Sequence, residues 1–169
     1  MRKIILFIAS SLDGCIVREN GDIDWLPKNT ASGYDDFIKS VDTVIMGKTT
    51  YDQVLTFGDY PYKDKKSYIF TRNNDYSQDK NSQFVHDVDV LVDDILSNSG
   101  TNIWLVGGAE IISTFMNFNL VDEIILSVIP ILLGNGISLF KNIVKKTKLE
   151  LINTTDYEKL VELHYKVLR

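Results

Sequence analysis

Cysteine is almost absent. Cys15 is the single one in 169 residues, so no intramolecular disulfide can form, and no Cys or His spacing around it would hold zinc. A reducing compartment suits such a chain. Basic charge is short as well: 18 Lys and Arg stand against 23 Asp and Glu, for a formal net charge of −5. That balance argues against a nucleic-acid partner, which needs a face where Lys and Arg outweigh the acids, although a local anion site stays open. Long apolar runs are missing. Residues 4–9 are apolar, but the run is too short for a signal core with its cleavage site or for a membrane span. The expectation is a cytoplasmic protein without a membrane partner. Repeats, low-complexity tracts and linker-like stretches are missing too, which predicts one domain over residues 1–169.

What is there alternates between two periods. Apolar runs at residues 3–9, Val41 to Met46 and Ile103 to Val106 have the form of strands buried on both faces, and they predict neighbours in one parallel sheet. Lys66 to Thr71 is a fourth strand candidate, followed by a polar surface loop over Asn73 to Gln83. Helical spacing is expected over Tyr34 to Ser40, Thr49 to Leu55, Val88 to Leu96 and the stretch holding Ile111, Ile112, Phe115 and Met116. A strand over Asp122 to Ile129, a loop over Pro130 to Gly136 and an alternating hairpin from Lys148 to Leu168 complete the chain. The fold class expected is α/β: a three-layer α/β/α domain on a mixed, mostly parallel sheet with a C-terminal antiparallel hairpin.

Three segments have the residue types that bind anions. Ile103 to Ile112 runs from a buried strand through Gly107 and Gly108 into a helix, where new N–H groups point outward. A tight strand-to-helix turn explains the glycine pair equally well, and the pair is not the GxGxxG fingerprint. Val44 to Tyr51 repeats the pattern, with Gly47 followed by Lys48, Thr49 and Thr50. The competing explanation there is that a threonine caps the helix and Lys48 is solvated. Thr71 and Arg72 end the next strand. Ligands of open α/β sheets bind outside the carboxyl ends of the strands, and all three segments fall there. Lys48 and Arg72 suit a ribose 2′-phosphate, and no acidic residue is placed to receive a free 2′-hydroxyl, so NADPH is favoured over NADH.

With these residues in view, the chain resembles the dihydrofolate-reductase-like superfamily. The segments that carry the resemblance are Ile8-Ala9, Ser11 to Ile16, Asp24 to Leu26, Val44 to Tyr51, Leu105 to Glu110, Val121 to Ile124 and Pro130 to Phe140. The branch most similar is named after the C-terminal reductase domain of the bifunctional riboflavin deaminase-reductase. The resemblance covers nearly the whole chain and implies a sheet of about eight strands with a nicotinamide cofactor across the strand ends. By position, Ala9 and Ile16 would border the nicotinamide. Gly47, Lys48, Thr49, Thr50, Thr71 and Arg72 would hold the adenosine end, and Val106, Gly107, Gly108, Ala109, Glu110 and Ile111 would cover the pyrophosphate. It further implies a homodimer and a small-molecule substrate.

Departures from the pattern bear on that substrate. Dihydrofolate reductases place an acid four positions ahead of a Phe on the first helix, and counting back from Phe37 gives Gly33; Asp35 and Asp36 are displaced along the helix. Dihydrofolate is therefore disfavoured. A Lys ahead of the first Ala, usual in the riboflavin branch, is missing, and so is the deaminase with its His and Cys pattern. Substrate-side candidates are Asp13, Trp25 and Asp36, with Tyr51 reaching in from the next helix. Asp13 fits a turn residue as well, and Trp25 fits a loop anchor. Glu123 reads as strand-edge electrostatics. His86 and His164 read as structural, and no metal site is expected. The activity implied is hydride transfer to a small heterocyclic or ribosylamino-pyrimidine substrate, for which the protein needs no nucleophile. The rival is a non-catalytic NADP-binding or dimerisation module; a P-loop phosphotransferase would need a fuller glycine motif than Met46 to Thr49 offers.

Overall fold

The computed structural model describes residues 2–28, 33–72 and 82–169. Its elements in chain order are β1 (Ile4–Ser11), β2 (Cys15–Arg18), α1 (Tyr34–Lys39), β3 (Val41–Gly47), α2 (Lys48–Leu55), β4 (Lys66–Phe70), β5 (Ser82–Val85), α3 (Val88–Ser97), β6 (Asn102–Gly107), α4 (Ala109–Asn117), β7 (Glu123–Ile129), β8 (Gly136–Ser138), β9 (Lys148–Asp156) and β10 (Val161–Leu168). The main sheet has eight strands in the order β5-β4-β3-β6-β1-β7-β10-β9. The three runs expected to be neighbours are neighbours, as β3, β6 and β1. Strands β5 to β7 of that row pair in parallel, and β10 pairs antiparallel with both β7 and β9. The mixed α/β architecture read from the sequence is the one observed.

The apolar pattern explains the layers. On β1, Ile4, Leu6 and Ile8 face one side, where α4 supplies Ile111, Ile112, Phe115 and Met116 and α3 supplies Leu91 and Ile95. Ile5 and Phe7 face the other, against Phe37 of α1, Tyr51 and Val54 of α2, and Trp104. Phe7 stacks on Phe37 with centroids 4.6 Å apart, and the Trp104 indole donates to the Phe7 carbonyl at 3.0 Å. An indole N–H buried in a core needs such an acceptor.

The strands depart from the expectation in two places. Ser82–Val85 is a strand, β5, pairing with β4 from Ser67↔Ser82 to Phe70↔Val85. The loop expected over Asn73 to Gln83 therefore ends earlier; its residues 73–81 lie outside the described ones. Polar composition disguised β5 because it is an edge strand with one sheet neighbour. Second, β2 and β8 form a separate antiparallel pair that the sequence pattern does not mark; at four and three residues they carry too little periodicity to be recognised. Tyr51, expected near the substrate, is buried in the core between Tyr60 and Phe84. No helix among the described residues is long and apolar enough to cross a membrane.

Candidate active site at the carboxyl ends of the parallel strands

Parallel pairing brings the carboxyl ends of β1, β3, β4 and β6 to one edge of the sheet, and a cavity of about 960 Å³ opens there. That volume suits a dinucleotide-sized or drug-sized ligand. Ala9 and Ile16 line it beside Ile8, Val17 and Leu26. Gly47, Lys48, Thr49 and Thr50 line it from the start of α2, Thr71 and Arg72 from the end of β4, and Val106, Gly108, Ala109, Glu110 and Ile111 from the β6–α4 junction. Gly107 sits one residue behind the wall. Three segments far apart in sequence are thus assembled around one space.

The two helix starts facing the cavity are chemically open. The N-cap positions of α2 and α4 are Gly47 and Gly108, and neither helix has a side-chain cap bond; α3, by contrast, is closed by Asp87 accepting from the Asp89 amide. Thr49 and Thr50 therefore lie inside the first turn of α2 and are not its caps. Gly107 and Gly108 have φ of +136° and +77°, which only glycine adopts without strain. A methyl group on Gly108 would stand 3.3 Å from Thr50 Oγ1. The glycine pair thus makes the turn and also brings the α4 N-terminus against α2. A helix start without a carboxylate cap presents N–H groups and the positive end of the helix dipole, which favour an anion.

Both cations at the mouth have acidic partners. Lys48 pairs with Asp52 one turn along α2. Arg72 Nη2 lies 3.1 Å from Glu110 Oε2. Sequence reading missed His86 altogether as a lining residue; its Nδ1 is 2.7 Å from the Thr71 carbonyl oxygen, and the only signal was its place at the end of a strand parallel to β4. His164 is structural as expected, 2.9 Å from Glu123.

The substrate-side candidates separate. Asp13 is exposed and turned to its own loop: it accepts from Ser11 Oγ at 2.5 Å and from the amides of Leu133 and Gly134 at 3.2 and 2.8 Å. Those bonds, with the Ser11 hydroxyl first, hold its pKa below the usual carboxylate range. Trp25 is buried with Ile129 and Leu160, packed by Ala9, Leu26 and Tyr157. Asp36 is exposed on α1 and does not line the cavity; its charge reaches Tyr157.

Comparison with known proteins agrees with this fold. A family model for the RibD C-terminal domain matches residues 2–162. The chain belongs to the RibD C-terminal domain family. A relative is the uncharacterised protein YwjB of Bacillus subtilis (strain 168), 42% identical over an aligned length of 169 that covers 97% of this chain and 97% of that one. Among solved structures, a Shewanella sp. PV-4 protein named for riboflavin biosynthesis superposes with a TM-score of 0.86 at 27% identity, covering 99% of each chain. The dihydrofolate reductase of Enterococcus faecalis, in a complex with NADP(H), shares the fold of this RibD-type domain with a TM-score of 0.69 at 16% identity, over 99% of this chain and 97% of that one.

Proposed function

We propose that this chain is an NADPH-dependent reductase that delivers hydride to a small heterocyclic or ribosylamino-pyrimidine-type substrate. The observation that carries the reading is the pair of uncapped helix starts, α2 and α4, opening with Lys48 and Arg72 onto one cavity. Membership of the RibD C-terminal domain family supports a reductase, and the Enterococcus faecalis neighbour is a complex with NADP(H).

NADPH, when bound, supplies the hydride. Lys48 and Arg72, with the hydroxyls of Thr49 and Thr50, would hold the adenosine 2′-phosphate by charge-assisted bonds. The amides of Ala109, Glu110 and Ile111 would receive the pyrophosphate. Ala9 and Ile16 offer a small and an apolar side chain against which a nicotinamide ring can lie, excluding water from the face where the substrate is reduced. The reading includes a second copy of the chain: β9 is an outer edge strand with Leu149, Leu151 and Ile152 exposed, and an unpaired apolar edge suits pairing with another sheet.

The test is a titration with NADPH and, separately, NADH, followed by nicotinamide fluorescence, with the Lys48→Ala/Arg72→Ala double variant as control. Micromolar NADPH binding that exceeds NADH binding and collapses in the double variant is expected. Equal binding of the two cofactors would remove the preference for NADPH, and absent binding of both would remove the reductase assignment in favour of a module that kept the fold for another purpose.

A further inference from the structure

Two buried side-chain polar atoms have no hydrogen-bond partner among the described residues: Glu162 Oε2 and Trp25 Nε1. One is an acceptor with a negative charge, the other a donor. Both belong to the same corner of the molecule. Glu162 on β10 is paired with Ser127 on β7 and Ser127 with Ala9 on β1, so the three side chains form one row on the α1 face of the sheet. Two inter-strand steps put Glu162 about 10 Å from Ala9, one ring system beyond the proposed nicotinamide position. Trp25 is packed in the cluster that contains Ala9, Leu26 and Tyr157. Tyr157 connects the two: a methyl group on Gly33 would lie 3.0 and 3.5 Å from the two Glu162 oxygens and 3.5 Å from the Tyr157 hydroxyl.

A buried carboxylate oxygen and a buried indole N–H, each without a partner, are costly to maintain and are uncommon in folded proteins. Complementary orphans in one corner point to a ligand that satisfies both. Burial, then the charges of Glu162 and Asp36, push the Tyr157 hydroxyl pKa up, so Tyr157 stays protonated there. Gly33 has φ −68°, a conformation open to any residue, so the missing side chain is not required by the backbone; a methyl group there would press on the carboxylate at 3.0 Å and displace it.

We propose that Glu162 and Trp25 form the substrate subsite of the reductase, holding a planar heterocycle that presents an amino or ring N–H to Glu162 and a carbonyl or ring-nitrogen acceptor to the Trp25 indole. The aminopyrimidinone class meets both demands with one edge. A phosphate does not: Glu162 and Asp36 repel it, so any phosphoryl group on the substrate points away from this corner. This inference rests on the reductase reading, and Glu162 acts in it as a binding residue on the substrate.

The experiment uses isocytosine as probe and the two indole N–H resonances as reporters in 1H–15N spectra, assigned with Trp25→Phe. Trp104 donates to the Phe7 carbonyl and serves as internal control. Isocytosine added to the NADPH-saturated protein shifts the Trp25 resonance and leaves that of Trp104 in place. Glu162→Gln weakens isocytosine at least tenfold while NADPH affinity stays within twofold, and Gly33→Ala weakens it with Glu162 intact. An unmoved Trp25 resonance at saturating isocytosine, or equal affinity in Glu162→Gln and Gly33→Ala, overturns the proposal. The titration is repeated without cofactor: isocytosine binding that depends on Glu162 in a protein that ignores NADPH overturns the reductase reading and keeps the subsite.

Discussion

Arg72 and Glu110 face each other across the mouth of the cavity with 3.1 Å between Nη2 and Oε2, although their side chains are 92% and 71% exposed. An ion pair this wet is weak and salt-sensitive, so it positions the guanidinium without trapping it. A 2′-phosphate with its two negative charges would outcompete the single carboxylate for Arg72. Glu110→Gln is therefore expected to tighten NADPH by no more than about fivefold and to leave NADH unchanged. Fluorescence titrations of the two cofactors at low and physiological salt check it; a loss of NADPH affinity would mean that Glu110 contacts the cofactor directly.

Gly108 is the position where the cavity is least tolerant. With φ +77° and Thr50 Oγ1 3.3 Å from where a methyl would be, Gly108→Ala combines backbone strain of about 1–2 kcal/mol with displacement of a hydroxyl at the α2 start. The midpoint of thermal unfolding is expected to fall by about 2–8 °C, and NADPH affinity to fall by more than about tenfold. Gly58→Ala, also at positive φ but with nothing within 4 Å, isolates the strain from the cavity effect: it lowers the midpoint and spares the cofactor.

Acid stability has an identifiable contributor at the opposite end of β7. Burial pushes the Glu123 pKa up, and hydrogen bonds from Lys3 at 2.6 Å and His164 at 2.9 Å more than offset it, leaving the carboxyl below its usual range. A folded-state pKa below the unfolded one means that the unfolded chain binds more protons, so stability rises with pH in that interval. The contribution is complete above the unfolded value of about 4.3 and is lost as pH falls through the lower folded value. Urea unfolding at a series of pH values is expected to show this slope in the wild type and a shallower one in Glu123→Gln.

The homodimer proposal predicts a mass twice that of the chain in multi-angle light scattering at micromolar concentration. Leu151→Lys, on an exposed edge strand, is expected to shift that mass to the monomer with its thermal midpoint little changed. A monomeric wild type would remove the second copy.

How much of this was legible in the sequence follows from where the signal resides. β1, β3 and β6 are buried on both faces, and burial on both faces writes a continuous apolar run; their adjacency followed. The α4 stripe of Ile111, Ile112, Phe115 and Met116 was equally plain. β5 carries Ser82 and Gln83 because an edge strand has one neighbour to satisfy, and polar residues there read as loop. On the site, glycines at strand ends announced the cavity, since strained φ values and open helix starts depend on local residue type. Glu162 gave no such sign. Its place in the proposed subsite comes from pairing with Ser127 and from its close approach to Gly33, which are relations between residues far apart, and a lone Glu in an alternating strand looks like any solvent-facing position.

The placement of β1 governs how the molecule is reached from the unfolded chain. Its two sheet neighbours are met only at Ile103 and Glu123, aligned with Ile4 and Ile5, so the central strand waits for partners about a hundred residues downstream. Closing loops of that length before any pairing energy is returned makes folding slow for the size of the domain. Ala9 lies on that strand, and the floor of the cavity is therefore among the features completed late. Recovery of cofactor binding during refolding would then trail the recovery of helical signal, and a ligand present from the start would select the finished sheet without hastening the step that assembles it.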